Sequence, residues 1–337
     1  MVELVAGVAG LALITYAVLG GADFGGGIWD LFASGPRRAA QRKAIADAMG
    51  PVWEANHVWL IFVIVILFTA FPSAYAALSI ALYVPFHLVL AGIVLRGAAF
   101  VFRAYAHRAG AATTAGEHGW GVVFGAASVV TPLLLGMSLG AVSTGRIRVS
   151  DAAVEAAGAW TAPIALTIGF LALALCAYLA AVYLVHETAG ELREDFRTRA
   201  LWSGTVTVGL SALAMPLLRL EARHLWDGLF SPRALPVLLV GIAAALLAGW
   251  SLRGRYYKLA RAAAVVQIAS LLAGWLLAQY PFIVYPDVTL ESAAAPPATL
   301  QFFLTALPFG FAVLLPSLWL LFRVFKGAGM SQPPQQH

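Results

Sequence analysis

The sequence is poor in charged side chains and contains a single cysteine. Only 11% of its 337 residues are Asp, Glu, Lys or Arg, whereas soluble domains average about 25%. One thiol, Cys176, excludes an internal disulfide and a cysteine-based metal site. The sequence also lacks a Walker loop, a dinucleotide fingerprint and a nucleophile elbow. These absences argue against the common soluble enzyme classes.

The sequence consists largely of long apolar runs. Hydrophobic residues make up 61% of the chain, and the runs lack the short alternating pattern of membrane strands. Each run is near or above the ~20 residues that a spanning helix needs. We therefore predict an all-α integral membrane protein. Its nine predicted helices are Val2–Ile28, Val52–Phe71, Ser73–Phe102, Gly119–Val142, Trp160–His186, Leu201–Leu218, Ala234–Leu252, Leu259–Tyr280 and Leu300–Phe325.

The basic residues predict the orientation. Of the 21 Lys and Arg, 15 lie in the odd-numbered loops or the tail, and five lie in the even-numbered loops. The positive-inside rule then predicts an N-out, C-in topology. This alternation also explains the net charge of +5 without nucleic acid as a partner. Because the segment after Met1 lacks the basic start of a signal peptide, we interpret it as a retained helix.

Loop spacing indicates an internal repeat. Helices one to four and five to eight each have a charged inside loop after their first member, and helix nine is left over. Copies of four spans share one orientation, so their pseudo-axis would follow the membrane normal. Between helices two and three only Phe71-Pro-Ser73 intervenes, which predicts a tight hairpin. The Pro-rich and Ala-rich segment 281–299 is expected to pack over the outer surface.

Polar residues concentrate at the predicted cytoplasmic ends of the first helices. Asp23 and Glu54 both lie at or just inside the boundary, where a carboxylate is costly unless it is paired, hydrated or functional. His57 follows Glu54 by three residues on one helix face, and Asn56 is adjacent. Arg96 lies at a similar depth. Together these residues predict a row of polar side chains, connected by water, along which protons can pass.

Simpler interpretations remain open for these residues. Asp23 would then be solvated at a helix end, Arg96 would snorkel or pair with an acid, and Glu54 would be favoured by the helix dipole. The run Gly25-Gly-Gly27 is expected to weaken the helix end and admit water or a partner beside Asp23. His57 and His87 are alternative haem ligands, although a lone histidine on an apolar helix is more often a packing residue.

Several motifs resemble subunit II of the cytochrome bd-type quinol oxidases, including their short, cyanide-insensitive branch. The resemblance spans essentially the whole chain, and only the combination is specific. The motifs are Gly21-Ala-Asp-Phe-Gly-Gly-Gly27, Trp53-Glu-Ala-Asn-His-Val-Trp-Leu60, Phe71-Pro-Ser-Ala-Tyr-Ala-Ala77, Leu95-Arg-Gly97, Tyr280-Pro-Phe282 and Ala293-Ala-Ala-Pro-Pro-Ala-Thr-Leu300.

The resemblance implies a bacterial or archaeal oxidase in the cytoplasmic membrane that oxidises quinol and reduces dioxygen to water. It implies two four-helix bundles, 1–142 and 160–280, plus a peripheral helix at 300–326. Haems b and d and the quinol site would belong to subunit I, and this chain would bind no haem. In some members subunit II holds a structural quinone and lies beside a small single-helix accessory subunit. Membrane lipid is the remaining expected partner.

By position, the resemblance assigns Asp23 and Glu54 to the family's acids near the proton entrance, with Trp53, Asn56 and Arg96 around them. Glu54 stands where other members have Asp, and Gly20 replaces an acid of some members, which puts a route through that acid in doubt.

The prediction is a non-haem subunit that stabilises subunit I and conducts protons through Glu54, with His57, Asn56 and Asp23 nearby. Two other classes compete with it. A proton-coupled secondary transporter would use the same acids and repeat, although the acids lie at one face and not at the midplane. A purely structural assembly subunit would need none of them.

Overall fold

Twelve helices and two short hairpins form the chain in a computed structural model that describes residues 1–49, 53–108, 114–150 and 152–327. The helices are α1 (Val2–Leu31), α2 (Arg38–Met49), α3 (Trp53–Ala70), α4 (Pro72–Ala81), α5 (Tyr83–Arg108), α6 (Thr114–Ala141), α7 (Pro163–Glu187), α8 (Gly190–Glu221), α9 (Arg223–Leu229), α10 (Leu235–Arg253), α11 (Tyr257–Gln279) and α12 (Pro297–Gly327). The antiparallel hairpins pair β1 (Arg148–Val149) with β2 (Val154–Glu155), and β3 (Phe282–Val284) with β4 (Val288–Thr289).

The predicted all-helical membrane fold is confirmed in its main features. Within the described residues, eight helices are long and apolar enough to cross a membrane. A ninth membrane span is reached only if α3 and α4 are counted as one span, and the helix axis turns by 118° at the break between them. The count of nine therefore depends on one bent span.

Two predictions are wrong around this bend, one helix boundary and the simple hairpin. The third helix, predicted to run unbroken over Ser73–Phe102, divides at Leu82 into α4 and α5. Because the ten-residue α4 is inserted after Pro72, α3 and α5 do not form the simple hairpin that the sequence predicted. Proline at the first helical position starts α4, since its missing N–H group has no intrahelical partner to lose.

Two loops are more helical than the sequence predicted. The loop after α1 contains α2. Of the charged stretch Glu187–Arg199, interpreted as a solvated loop with a helix cap, the part from Gly190 onward forms the first turns of the 32-residue α8. Arg37 of the first loop donates to Asp195 at 2.6 and 2.8 Å, so this loop and the start of α8 are joined by a bidentate ion pair. These contacts between distant segments stabilise helix where local sequence favours solvation.

The central packing layer consists of α1, α6, α7 and α11. Helix α1 packs on α7, α3 and α6, and α7 also packs on α6 and α8. The first members of the two predicted repeats, α1 and α7, therefore lie against each other. Helix α12 contacts chiefly α3, through Trp59, Phe62, Phe303 and Phe311. The division into two bundles and the N-out orientation stay predictions.

The segment after α11 packs over one end of the helices, as expected of a surface covering, although the side of the membrane stays a prediction. Val284, Val288 and Ala295 are buried within it. The Ala295 N–H donates to the carbonyl of Ala70 at 2.8 Å, and the Tyr285 N–H donates to that of Val142 at 3.2 Å. These bonds join the segment to the ends of α3 and α6.

Candidate functional site

The glycine-rich part of α1 is an uninterrupted buried helix. Asp23 is 2% exposed and lies eight residues before the helix end at Leu31, a distance of about 12 Å at 1.5 Å per residue. A Cβ at Gly25 would overlap the carbonyl oxygen of Cys176 on α7, and one at Gly27 would overlap the hydroxyl of Ser128 on α6. The expectation that the glycines weaken the helix end is wrong, because two neighbouring helices close on them.

Asp23 forms a bidentate ion pair with Arg96 of α5. Arg96 Nη1 and Nη2 donate to the two carboxylate oxygens, each at 2.7 Å, and Nη2 also donates to the Asp23 carbonyl at 3.1 Å. Arg96 is as buried as Asp23. The interpretation of Arg96 as a snorkelling residue is therefore wrong, and the structure places it as the partner of Asp23.

Neighbouring side chains of α1 and α6 provide the remaining contacts of the Arg96 guanidinium group. Its Nε donates to the Ser128 hydroxyl at 3.0 Å, and that hydroxyl donates to the Phe124 carbonyl at 2.7 Å. The guanidinium lies 5.0 Å from the ring centre of Phe24 and 4.8 Å from that of Phe124. Cation–π contacts and the four hydrogen bonds of the guanidinium group compensate for burial of the charge.

His57 lies beside this pair on α3. Its ring centre is 5.9 Å from that of Phe24 and 6.2 Å from that of Tyr16. Asn56, the adjacent predicted site residue, is buried at 4% exposure. Sequence reasoning missed Tyr16, whose hydroxyl is buried without a hydrogen-bond partner among the described residues. The tyrosine is seven residues before Asp23, the spacing of one helix face, and this was the available signal.

The remaining predicted residues are placed only in part. The backbone of α3 includes Trp53 and Glu54, so Glu54 and His57 share a helix face. The side chains of Trp53 and Glu54 lie outside the described part of the structure.

A second ion pair lies seven residues further along both helices. Arg103 donates to the carboxylate of Asp30 at 3.0 and 3.4 Å, and Asp30 is 2% exposed. The offset between partners is 73 residues in both pairs, so α1 and α5 run parallel with their charged faces in register. Sequence reasoning treated Arg103 as a loop residue and did not single out Asp30. The shared spacing of seven was the missed signal.

A large apolar cleft begins at His57 and extends towards the start of α1. Its volume is about 1160 Å³, and helices α1, α3, α4, α5, α6 and α11 contribute to its lining. Its few polar groups include His57, His87, Tyr75 and Gln279. Drug-sized ligand pockets usually measure roughly 300–1,000 Å³, so the cleft can hold a long apolar molecule.

His87 lies on the exposed surface of α5 within the same cleft lining. Its Nδ1 is 2.7 Å from the Tyr83 carbonyl, four residues earlier, and its ring centre is 4.0 Å from that of Tyr83. Across the described ranges, no three His, Cys, Asp or Glu side chains are grouped closely enough to hold a metal ion.

Comparison with known proteins identifies relatives along nearly the whole chain. The family model described as cytochrome bd terminal oxidase subunit II matches residues 1–325. A putative cytochrome bd menaquinol oxidase subunit II of Bacillus subtilis is 24% identical over 92% of this chain and 91% of its own length. The cytochrome bd-I ubiquinol oxidase subunit 2 of Escherichia coli is 29% identical, over 61% of this chain and 54% of its own.

The fold matches a solved structure. A chain of the bd oxidase from Geobacillus thermodenitrificans superposes with a TM-score of 0.80 over 96% of this chain and 98% of its own, at 22% sequence identity.

Removing one partner of the Asp23–Arg96 pair should destabilise the protein more than removing both. We expect Arg96→Gln or Asp23→Asn alone to lower the free energy of unfolding by about 3–5 kcal/mol, because each leaves an uncompensated buried charge. The double variant should recover a large part of that loss. Equilibrium unfolding in detergent of the four proteins measures the coupling. Additive losses in the double variant would contradict the proposed dependence on the pair.

Proposed function

The chain belongs to the cytochrome bd terminal oxidase subunit II family, and from this we propose that it is the haem-free subunit which stabilises a haem-bearing subunit I and conducts protons to the site of oxygen reduction. As a member it is a multi-pass membrane subunit of a quinol oxidase. The bacterial cytoplasmic membrane, haems b and d in the partner and a single-helix accessory subunit complete the proposal. The haems would transfer electrons and reduce dioxygen, and this chain would supply protons and support.

One observation carries the proton-conducting role. A buried ion pair, a histidine and an unpartnered tyrosine hydroxyl meet in an otherwise apolar region. Asp23 and Arg96 neutralise each other, so the region holds fixed dipoles without a large net charge. His57 contacts this region from α3. Buried polar groups of this kind in a membrane mark proton and ion pathways more often than plain packing.

We propose that protons enter at Glu54 and pass towards His57, with Asn56 beside them. The two titratable residues are one turn apart on α3, a separation that one or two waters bridge. Both carboxylate oxygens of Asp23 accept hydrogen bonds from Arg96. This favours Asp23 as a fixed charge that contributes to the local electric field. The Tyr16 hydroxyl offers a further position on a water-linked route.

The apolar cleft supports a second role, as the site of a structural quinone. A quinone combines a polar ring with a long apolar tail, and the cleft combines a long apolar lining with His57 and Gln279. Histidine and glutamine side chains can donate to quinone oxygens.

An optical spectrum tests whether this chain works with a haem-bearing partner. We expect a tagged chain, purified gently in mild detergent, to bring a second large subunit with b-type bands and the red-shifted band of haem d. A colourless, solitary chain from cells that express its own operon would contradict the oxidase role and favour a transporter. Colour retained after the partner is stripped would assign haem to His57 or His87.

Charge neutralisation at Glu54 tests the proton route. Since a positioned proton-transfer group contributes roughly 10²–10⁴-fold to a rate, we expect Glu54→Gln to lower quinol oxidase turnover by about tenfold or more at unchanged haem content. Glu54→Asp should retain most turnover, and Asp47→Asn, an exposed acid of α2 paired with Lys43, should retain all of it. Equal turnover in Glu54→Gln and wild type would leave only the assembly role, whereas loss of haem would make Glu54 structural.

Filling the cleft tests the quinone site. Ile64 lines the cleft from α3, and a tryptophan there occupies volume that the quinone tail needs. We expect Ile64→Trp to reduce the quinone extracted per purified complex, measured by chromatography. Val208→Trp, on the exposed surface of α8, is the matched control. Equal quinone content in both variants and wild type would place the quinone elsewhere or remove it from the proposal.

A further inference from the structure

Asp30, at the inner end of α1, interacts with more basic side chains than its charge can balance. Arg103 of α5 donates to both carboxylate oxygens. Arg42 of α2 places its Nε 3.8 Å from a carboxylate oxygen and donates to the Asp30 carbonyl at 3.3 Å. Each arginine side chain is 29% exposed, although the carboxylate between them is buried.

A third cation adds to this surplus. Arg38, one turn before Arg42 on α2, is exposed. Burial lowers the pKa of the Arg42 guanidinium; the charge of Asp30 raises it, and the charges of Arg38 and Arg103 lower it further. We call Arg38, Arg42 and Arg103 the basic cluster. Together with Asp30, these described residues carry a formal net charge of two positive units.

Two other arginines of the same end, Arg37 and Arg261, have carboxylates of their own. Arg37 pairs with Asp195 and Glu191, and Arg261 lies 3.7 Å from Glu187. Among the described residues, the basic cluster thus differs from these two sites in having three guanidinium groups for one acid. Its surplus charge is directed outward, because the acid is buried and the arginines are not.

The cluster lies beside exposed aromatic side chains. Phe32 is 59% exposed directly after the end of α1, and Phe102, next to Arg103, is 51% exposed. The Phe102 ring stacks on Trp120 of α6 at 4.7 Å. Aromatic rings beside basic residues are typical of the membrane interface, where apolar surface meets headgroups. By the positive-inside rule this is the leaflet facing the cytoplasm.

We propose that the basic cluster binds the phosphate of an anionic phospholipid in the inner leaflet. Guanidinium groups match phosphate oxygens by paired N–H donors, and partly exposed arginines can make these bonds without leaving Asp30. Basic pockets between membrane helices on the cytoplasmic side are suited to anionic headgroups. The acyl chains would lie along the aromatic side chains of α1, α5 and α6. This site is independent of the proton route and of the quinone cleft.

Native mass spectrometry of the purified complex tests the proposal. The complex is delipidated in detergent and titrated with phosphatidylglycerol or phosphatidylcholine, and the concentration for half-maximal binding is measured. We expect tighter binding of phosphatidylglycerol. Since a basic residue near an anionic surface contributes about 1 kcal/mol, Arg42→Gln should raise the half-saturating phosphatidylglycerol concentration roughly fivefold. Asp30 keeps Arg103 in this variant, so its charge stays paired.

Controls separate the site from general charge and from free phosphate. Arg253→Gln removes an exposed arginine at the same predicted side and should leave binding unchanged. If Arg42→Gln fails to assemble, Arg38→Gln is titrated in its place, with the same expected direction. Equal affinity for the two lipids, or equal losses in the cluster and control variants, would overturn the proposal. Displacement of the lipid by millimolar inorganic phosphate would instead assign a phosphate-ion site and would also overturn it.

Discussion

The buried ion pair between Asp23 and Arg96 is the constraint on which the first half of the molecule depends. Neither charge is tolerable alone in an apolar interior, so α1 and α5 must keep the register that joins them. Close packing on α1 is equally necessary, because it excludes water from the pair. The glycines at 25 and 27 permit that packing, since a side chain at either position would collide with α7 or α6.

A second consequence of this register appears near the ends of the same helices, seven residues further along each. The spacing of seven residues repeats the acid–base pairing at Asp30 and Arg103, yet the two pairs have different environments. The deeper pair is enclosed by Ser128 and by aromatic rings. The shallower pair is joined by Arg42 from the loop helix and is partly open. Along one helix face, the Asp23–Arg96 pair is therefore enclosed, whereas the Asp30–Arg103 pair belongs to a partly exposed basic surface.

Family membership and local geometry support the proposed function in different ways. Membership establishes a quinol oxidase subunit. It does not by itself distinguish a proton-conducting subunit from a scaffold. The grouping of His57 and Tyr16 with the ion pair supports conduction, because a scaffold alone has no need of titratable groups in this apolar region. The cleft that adjoins this region is suited to a long apolar cofactor.

The sequence alone was sufficient for the class of protein, the approximate spans and the residues worth testing. Long apolar runs admit few alternatives to spanning helices, and Asp23, His57 and Arg96 stand out because charge and polarity are scarce there. Local patterns also predicted the outer covering segment, whose buried positions lie between α11 and α12.

Only the tertiary structure decided which groups meet. The pairing of Asp23 with Arg96 spans 73 residues, and periodicity within one helix carries no information about the register between helices. Tyr16 and Asp30 were missed for a different reason, since their spacing of seven residues from Asp23 along one helix face is visible in the sequence. The break between α4 and α5 and the helical start of α8 were mispredicted because packing and distant ion pairs outweigh local propensity. Sequence thus determined the membrane helices and the supply of polar groups, whereas long-range packing determined their partners and the cleft between them.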